Sequence, residues 1–355
     1  MADLQKTVLV MLPSEEEDKE SVCLFNLEAK RVQSAKEFIN SRFVGSSHGW
    51  LGILDETADP YLFNPLSETR IQLPTKETFP HILGVSEKRV GDSDDFVVKY
   101  IYGGSCVCRL MTAKELQYNL VSKAILNADP SSSSSKNNYV VVVIYSPESK
   151  LAFCNQGDNA WKAELNAKYP PYGDIMCNNN QLFALSESGL IEVWDIDSTC
   201  PVKTMEIQPS FPSKMAETWR SLRDLYSSRW YLVESSGDLL LVSRHVGEFV
   251  RDDNTPVYEA DLLIDEDESL SDRVLFLGAN HSMSLSAVDF PECKKNSIYF
   301  TDDYWERMNE DYSYGGHDLG VFNLGDASVE PIYEFDTRKI EPPPVWIVPS
   351  PFGRE

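Results

Sequence analysis

Residues 302–318 combine carboxylates with aromatic rings in a pattern that could recognise a partner. The segment holds six carboxylates against Arg307, a local charge of −5. Because Trp and Tyr supply much of the binding energy at interfaces, such a loop between two strands is typical of a recognition surface. A solvated cap over a central channel would have the same composition, so both interpretations stay open. The predicted binding residues are Tyr304, Trp305, Tyr312, Tyr314 and His317, together with Trp50 and Trp161.

General acid–base catalysis is the second chemistry considered, and it needs carboxylates and histidines that converge in a pocket. The acidic balance of the chain would suit a small cationic substrate, and aromatic rings would add cation–π stabilisation. The five histidines are dispersed, and Cys106-Val107-Cys108 is too closely spaced for half of a zinc pair, so no metal or other cofactor is predicted. If the chain is an enzyme, the catalytic candidates are Asp302, Asp303, Tyr304, His48, His281 and His317.

The segment Gly45-Ser46-Ser47-His48-Gly49 matches the Gly-x-Ser-x-Gly pattern of a hydrolase nucleophile. That chemistry requires the serine on a tight turn between a strand and a helix. The residues that follow, 50–55, have the composition of a strand, and no α/β alternation surrounds them. We therefore predict a turn before a strand, with the glycines permitting positive φ.

Strand-like runs dominate the elements that would position these residues. They are rich in Val, Ile, Leu, Phe and Tyr and are bounded by Gly, Pro, Asn, Asp or Ser. Mixed three- and four-residue apolar spacing predicts two helices, at Ala113–Ser122 and Ala216–Tyr226. The predicted strands, which make the chain all-β, are Thr7–Leu12, Ser21–Leu27, Gly49–Leu54, Tyr139–Tyr145, Gln181–Leu185, Leu190–Trp194, Trp230–Val233, Leu239–Val242, Ser297–Phe300 and Leu319–Leu324.

A short pattern of an apolar, an aromatic and a polar residue recurs along the chain. The steps from 25 to 63 and from 153 to 194 match the roughly 40–50-residue period of a propeller blade. One four-stranded sheet cannot bury both of its faces, whereas sheets stacked radially around a channel can. The sequence predicts a β-propeller of six four-stranded blades, or seven if residues 78–120 form another. The aromatic positions are Phe25, Phe63, Phe153, Trp194 and Phe322, with a degenerate member at Tyr258.

We expect one propeller domain over residues 1–355, with loop insertions near 78–138 and 302–318. The Ser-rich stretch 131–135 leads at once into a strong strand, so it is better explained as a loop tip than as a linker. The prolines 342–344 form a stiff connector to Val345-Trp346-Ile347. That last strand is expected to close the ring with the N-terminal strands.

Composition argues against several classes of partner. The chain has 32 basic and 56 acidic residues, a net charge of −24, and such a surface repels nucleic-acid backbones and anionic membranes. No run approaches the roughly 18 apolar residues of a spanning helix, and the N-terminus lacks the apolar region of a signal peptide. A cytoplasmic or nuclear location is expected. Seven cysteines, an odd number, predict reduced thiols.

Several blocks of sequence resemble one known family. In chain order they are 43–51, 62–66, 71–74, 151–161, 278–282, 287–291, 298–303 and 320–324. They resemble the plant domain-of-unknown-function 295 family, the KIB-type β-propellers, over nearly the whole chain. The resemblance implies a β-propeller of plant origin.

Many members of that family carry an F-box segment before the propeller and resemble substrate receptors of cullin-RING ubiquitin ligases. The first predicted strand begins near Thr7, which leaves no room for the roughly 40 helical residues of an F-box. If the chain is complete, this departure puts docking to the Skp adaptor in doubt. We therefore predict a non-enzymatic recognition propeller that binds a protein target, or a small molecule, through loops on one face. The alternative is a specialised-metabolism enzyme of cyclase/lyase or condensing type that uses the central pocket without a metal.

Overall fold

The computed structural model describes residues 8–13, 22–29, 31–35, 38, 40–86, 95–102, 105–132, 139–163, 167–197, 200–209, 226–250, 256–263, 270–301, 319–332 and 344–347. Nearly all regular structure in these ranges is strand, arranged in small, mostly antiparallel sheets. The predicted all-β propeller is confirmed.

Four sheets are built mainly from the first half of the chain. Their strands are named in spatial order across each sheet, starting at the innermost strand except in the third sheet, which is named from one edge. The first contains β26 (Val345–Ile347), β1 (Leu9–Pro13), β2 (Val22–Asn26) and β3 (Arg31–Ala35). The second contains β4 (Arg42–Ser47), β5 (Trp50–Leu54), β6 (Pro60–Asn64) and β7 (Thr69–Gln72), followed by a short 3-10 helix at Lys76–Thr78. The third contains β10 (Ser105–Thr112), β9 (Asp95–Tyr102) and β8 (Ile82–Val85), and leads into α1 (Ala113–Asn119). The fourth contains β11 (Val121–Leu126), β12 (Val140–Tyr145) and β13 (Lys150–Asn155).

The second half adds three more sheets. One contains β14 (Tyr172–Asn178), β15 (Gln181–Ser186), β16 (Ile191–Asp195) and β17 (Val202–Ile207). The next contains β18 (Tyr226–Ser235), β19 (Asp238–Val250) and β20 (Pro256–Leu263). The last has the order β22 (Met283–Ser286), β21 (Arg273–Leu277), β23 (Ser297–Thr301), β24 (Leu319–Asn323) and β25 (Ser328–Pro331), with β21 and β23 parallel.

The innermost strands follow one another around a ring. Strand β4 contacts β26 and β11, β11 contacts β14, β14 contacts β18, and β18 contacts β22. Because β4 and β11 contact each other directly, the sheet of β8, β9 and β10 contributes no innermost strand between them. Whether that sheet counts as a seventh blade stays a prediction. Closure of the ring by the terminal strands is confirmed, since β26 pairs with β1 at Leu9–Ile347, Val10–Trp346 and Met11–Val345.

Apolar runs form strands here because both faces of a sheet are covered by its neighbours. All six residues of β12 are buried, although four consecutive valines give no alternation between polar and apolar positions. One hydrophobic cluster joins Val142 and Phe153 of that sheet to Ile175 and Trp194 of the next. Radial stacking therefore supplies the burial that an isolated sheet would lack.

The recurring aromatic residues occupy equivalent places in the ring. Phe25, Phe63, Phe153 and Trp194 are buried in β2, β6, β13 and β16. Each of these is the third strand of its sheet, counted outward from the channel. Position 258 lies in β20, also third. Phe322 lies in β24, which is fourth because the last sheet has an additional strand.

The helix predicted at Ala113–Ser122 is confirmed but ends at Asn119. It begins with a capping box, in which the Glu115 N–H donates to Thr112 Oγ1 at 3.2 Å and the Thr112 N–H donates to Glu115 Oε2 at 2.8 Å. The helix predicted at Ala216–Tyr226 lies outside the described residues except for Tyr226, which begins β18. No helix in the described ranges is long and apolar enough to cross a membrane.

The turn predicted at Gly45–Gly49 is wrong for its first three residues. Gly45, Ser46 and Ser47 are part of β4, and only His48 and Gly49 form a turn, with φ of 52° and 76°. The physical reason is a close approach between sheets, because a Cβ at Gly45 would lie 2.0 Å from the carbonyl oxygen of Ala124 on β11. Ser47 ends β4 instead of standing on a turn between a strand and a helix, and its buried hydroxyl accepts a hydrogen bond from the Leu126 N–H at 3.1 Å.

Candidate functional site

A cavity of about 140 Å³ lies among the first residues of the innermost strands β4, β11 and β14 and residues 229–231 of β18. Its volume is well below the roughly 300–1,000 Å³ of sites that enclose a small-molecule ligand. The size suits one side chain rather than a whole substrate. Its charged lining residues are Arg42, Lys123, Asp174, Glu187 and Arg229, and its aromatic ones are Tyr118, Tyr172, Trp230 and Tyr231.

Lys123 and Asp174 form a buried ion pair between β11 and β14. The Oδ2 atom of Asp174 also accepts a hydrogen bond from the Leu232 N–H on β18, at 2.7 Å. Burial raises the pKa of the Asp174 carboxyl above its ordinary value, and Lys123 opposes that shift. One carboxylate therefore joins three successive innermost strands.

Arg42, the first residue of β4, connects the cavity to α1. Its Nη1 donates to the carbonyl oxygen of Gln117 at 2.8 Å and to that of Tyr118. Carbonyl groups in the last turn of a helix lack partners within the helix, so a cation there is favourable. Gln117 Nε2 in turn donates to the carbonyl oxygens of Asn40 at 2.6 Å and of Asp55 at 2.7 Å. Burial lowers the pKa of Arg42 to about 9, because the guanidinium has lost most of its hydration.

The segment Gly278–Ser282, between β21 and β22, crosses the channel, and we call it the crossing segment. The His281 N–H donates to the Ser46 carbonyl oxygen on β4 at 2.8 Å. His281 Nε2 accepts a hydrogen bond from the Cys177 N–H on β14 at 3.2 Å. Ala279 of the same segment lines the cavity. A loop of one sheet therefore bonds two sheets that are not its neighbours in the ring.

Two of the six acid–base candidates, His48 and His281, are brought together by the fold. They lie close enough for the charge of His48 to lower the pKa of His281, and burial lowers the pKa of both, that of His281 to about 3. Neither imidazole is among the described residues that line the cavity. A substrate held in the cavity would therefore not reach them.

Trp50 and Trp161, predicted to bind a partner, are core residues instead. Their exposed fractions are 2% and 4%. Trp50 Nε1 donates to Asp129 Oδ1, and Trp161 Nε1 donates to the carbonyl oxygen of Pro74, both at 2.9 Å. The Trp161 ring is stacked on Phe79 with centroids 4.7 Å apart. Both rings are buried because they fill space between strands and each indole N–H has its acceptor inside the protein.

The remaining predicted residues, Asp302, Asp303, Tyr304, Trp305, Tyr312, Tyr314 and His317, lie outside the described residues. Their flanks are described, since Thr301 ends β23 and Leu319 begins β24. A Cβ added at Gly278 would lie 2.0 Å from Thr301 Oγ1. The strand that leads into the predicted recognition segment therefore ends against the crossing segment.

The sequence reasoning missed Arg42, Lys123, Asp174 and Arg229. A signal was present, because Lys123 and Asp174 each stand in a strand of mainly buried residues, VSKAIL and YGDIMCN. Charged residues are almost never fully buried unless they are paired. A lone charge in such a run therefore indicates a partner on a neighbouring strand.

Small sheets ordered radially around a channel define this molecule as a β-propeller. The chain belongs to the KIB1-4 beta-propeller family, whose sequence model matches residues 24–323. The KIB-type resemblance is thereby confirmed, whereas the domain-of-unknown-function 295 label and the lack of an F-box stay predictions.

Curated relatives from Arabidopsis thaliana are named as F-box proteins. The chain is 25% identical to F-box protein SKIP23 over 334 residues, which cover 85% of this chain and 74% of that protein. It is 24% identical to F-box protein KIB2 over 313 residues, covering 85% of this chain and 63% of KIB2.

Two solved structures show fold-level likeness at 12% identity and a TM-score of 0.31 each. YCF48 bound to D1 peptide matches over 72% of this chain and 81% of its own. The N-terminal domain of Nup159 matches over 94% of this chain and 84% of its own.

Proposed function

We propose that this chain is a non-enzymatic recognition propeller that binds a protein target through loops on the face where the cavity lies. The relatives named F-box proteins support a protein partner in a ubiquitin ligase context. The proposal includes a cytoplasmic or nuclear location.

The position of the crossing segment is the observation that carries this proposal. An enzyme built on a propeller funnel needs a pocket that admits its substrate, whereas here the crossing segment bonds β4 and β14 across the channel, and the cavity beside Ala279 measures about 140 Å³. A space of that size can take one side chain of a macromolecule whose other contacts lie on the surrounding rim.

The sheet of β18, β19 and β20 offers such a rim. Strands β18 and β19 contain 10 and 13 residues, against six or seven in the innermost strands β4, β11 and β14. Arg229 and Trp230, which line the cavity, lie in the first half of β18, and that half pairs with the second half of β19. This sheet therefore extends beyond the ring beside the cavity.

The enzyme alternative gains no support from the described residues. The described residues that line the cavity carry three cations against two carboxylates, with Lys123 paired to Asp174, a balance that does not favour a small cationic substrate. No described histidine reaches the cavity as a general base.

The test is affinity capture from plant extract with the tagged full chain, followed by a direct binding measurement with the purified captured protein. We expect Trp305→Ala, in the predicted recognition segment, to weaken the complex about 30-fold, the equivalent of about 2 kcal/mol for an interface hot spot. The control Val288→Ala, at an exposed position (77%) outside that segment and the cavity, should leave affinity unchanged. An unchanged affinity for Trp305→Ala would remove the segment from the interface. Failure of the chain to retain any protein specifically would overturn the proposal.

A further inference from the structure

We propose that Cys106 and Cys108 together bind one soft monovalent metal ion, Cu(I), through their two sulfur atoms. Both residues lie on β10, in the sheet that contributes no innermost strand to the ring. Both thiols are free and exposed to solvent. Neither residue lines the cavity, so the inference does not rest on the proposed function.

The pleat of β10 places the two thiols side by side. Residues two apart in a strand point to the same face of the sheet, so Cys106 and Cys108 share a face. Leu110, which is 45% exposed, continues that face. Arg109 belongs to the opposite face, where its guanidinium pairs with Glu115 at 3.1 Å. Among the strands that the structure describes, β10 pairs with β9 alone, so the thiol pair stands at the edge of its sheet.

Strand spacing decides between a disulfide and a bound ion. At a rise of about 3.4 Å per residue, the Cβ atoms of Cys106 and Cys108 stand about 6.8 Å apart. A disulfide needs Cβ atoms about 3.5–4.5 Å apart, so the strand would have to buckle to form one. Two metal–sulfur bonds of about 2.3 Å span about 4.6 Å when they are in line. Because side chains in strands lean along the chain in either direction, the two sulfurs can lean towards each other and cover the difference.

The number and type of the ligands select the metal. Zinc in proteins is almost always four-coordinate, and two thiolates supply half of that set. Within the described ranges, no third His, Cys, Asp or Glu joins the pair in a metal-binding group. Thiolates are soft ligands that favour Cu(I), and this ion is stable with two sulfur ligands in line. The pair therefore fits Cu(I) rather than Zn(II).

A lysine stands where the bound ion needs a counter-charge. Thiols bind metals as thiolates, so both protons pass to solvent and the complex of two thiolates with one monovalent ion has a charge of −1. Lys99 on β9 is the direct cross-strand partner of Cys108 and is exposed. Directly opposite residues share a face, with Cβ atoms about 4.5–5.5 Å apart. The ammonium of Lys99 can therefore reach the negative complex.

The experiment measures the affinity of the reduced full chain for Cu(I) in oxygen-free buffer, in competition with the chelator bicinchoninate. We expect one tightly bound ion per chain. Cys106→Ser and Cys108→Ser should each weaken binding at least about 100-fold, because the second sulfur then no longer acts within the same molecule. The matched control is Cys200→Ser, which removes another free and exposed thiol and should leave the affinity unchanged. No binding by the wild type, or wild-type affinity in either pair variant, would overturn the proposal.

A second measurement needs no variant. Wild-type protein is alkylated with iodoacetamide, with and without one equivalent of Cu(I), and each cysteine is followed by mass spectrometry. Cu(I) should protect Cys106 and Cys108 together and leave Cys200 reactive. Zn(II) should protect neither of the pair, because it would lack two ligands. Protection of Cys200 alone, or equal protection of the pair by Zn(II), would contradict the assignment.

The role of Lys99 is tested by Lys99→Met against Lys114→Met. Lys114 is an exposed residue of α1, so both variants remove one surface charge close to this sheet. Lys99→Met should weaken Cu(I) binding about two- to fivefold, the range expected for an exposed charge pair, and Lys114→Met should not change it. Equal affinities of the two variants would remove Lys99 from the proposed site.

Discussion

His281 Nε2 accepts a hydrogen bond from the backbone N–H of Cys177, with 3.2 Å between the two nitrogens. The two residues belong to sheets that are separated in the ring by the β18 sheet, so the bond spans the channel. Since an imidazole nitrogen can accept only when it carries no proton, this contact requires the neutral form of the ring.

Acidification is expected to destabilise the protein below about pH 6.5. Burial holds the pKa of His281 at about 3 and that of His81 at about 4, against 6.5 for an unperturbed histidine. The unfolded chain therefore binds more protons in this window, and stability falls with falling pH by about 1.4 kcal/mol per pH unit for each such group. Urea unfolding between pH 7.5 and 4.5 measures the slope. The His281→Gln variant should show a smaller slope of unfolding free energy against pH, reduced by the contribution of one proton. The stability of this variant at pH 7.5 separates the structural cost of the substitution from the proton linkage.

Gly45→Ala is expected to destabilise the protein by about 1–3 kcal/mol or more. The new Cβ would lie 2.0 Å from the backbone oxygen of Ala124, so β4 and β11 would have to separate. Gly173→Ala is the matched control, because nothing lies within 4 Å of its added Cβ, and it should change stability by less than about 0.5 kcal/mol. Denaturant unfolding compares the two, and equal costs would contradict the close approach of these strands.

Lys123→Met is expected to cost about 3–5 kcal/mol, because it leaves the Asp174 carboxyl buried without its cation. The double variant with Asp174→Asn should be more stable than the sum of the single losses predicts, by about 1–3 kcal/mol. A double-mutant cycle on unfolding free energies checks this coupling. If the losses of unfolding free energy in the two single variants add up to the loss in the double variant, the ion pair has no coupling energy and the prediction is wrong.

Trp346→Ala is expected to cost about 3–5 kcal/mol. The side chain is fully buried and meets Phe276 and Tyr299 edge-to-face, with centroids 5.3 and 5.9 Å away. Thermal and urea unfolding should both show the loss. Val329→Ala, at a position 47% exposed on the outer strand β25, should stay within about 0.5 kcal/mol of wild type.

The fold was largely readable from the sequence because its signals are local. Strand composition located β12 and β16, and the spacing of aromatic residues such as Phe63 and Trp194 marked the third strand of successive sheets. The apolar run after the prolines at 342–344 predicted the closing strand. Each of these features depends on a few consecutive residues and on burial by the adjacent sheet.

The centre of the molecule was not readable, because it depends on contacts between distant residues. Nothing near Lys123 in the chain indicates that Asp174 lies opposite, and nothing near Cys177 indicates His281. The sequence around Gly45 resembled a turn. In the structure, Gly45 lies in a strand, and its lack of a Cβ allows the close approach of Ala124. Trp50 and Trp161 resembled interface residues because aromatic rings have the same composition signal in a core and on a surface.

The pairing of β1 with β26 also sets an order for biosynthesis. The first sheet cannot be completed until residue 347 has left the ribosome, and at about 5–20 residues per second that takes on the order of tens of seconds after β1 has emerged. During that time the nascent chain has an unpaired strand edge, which is the feature that chaperones shield from aggregation.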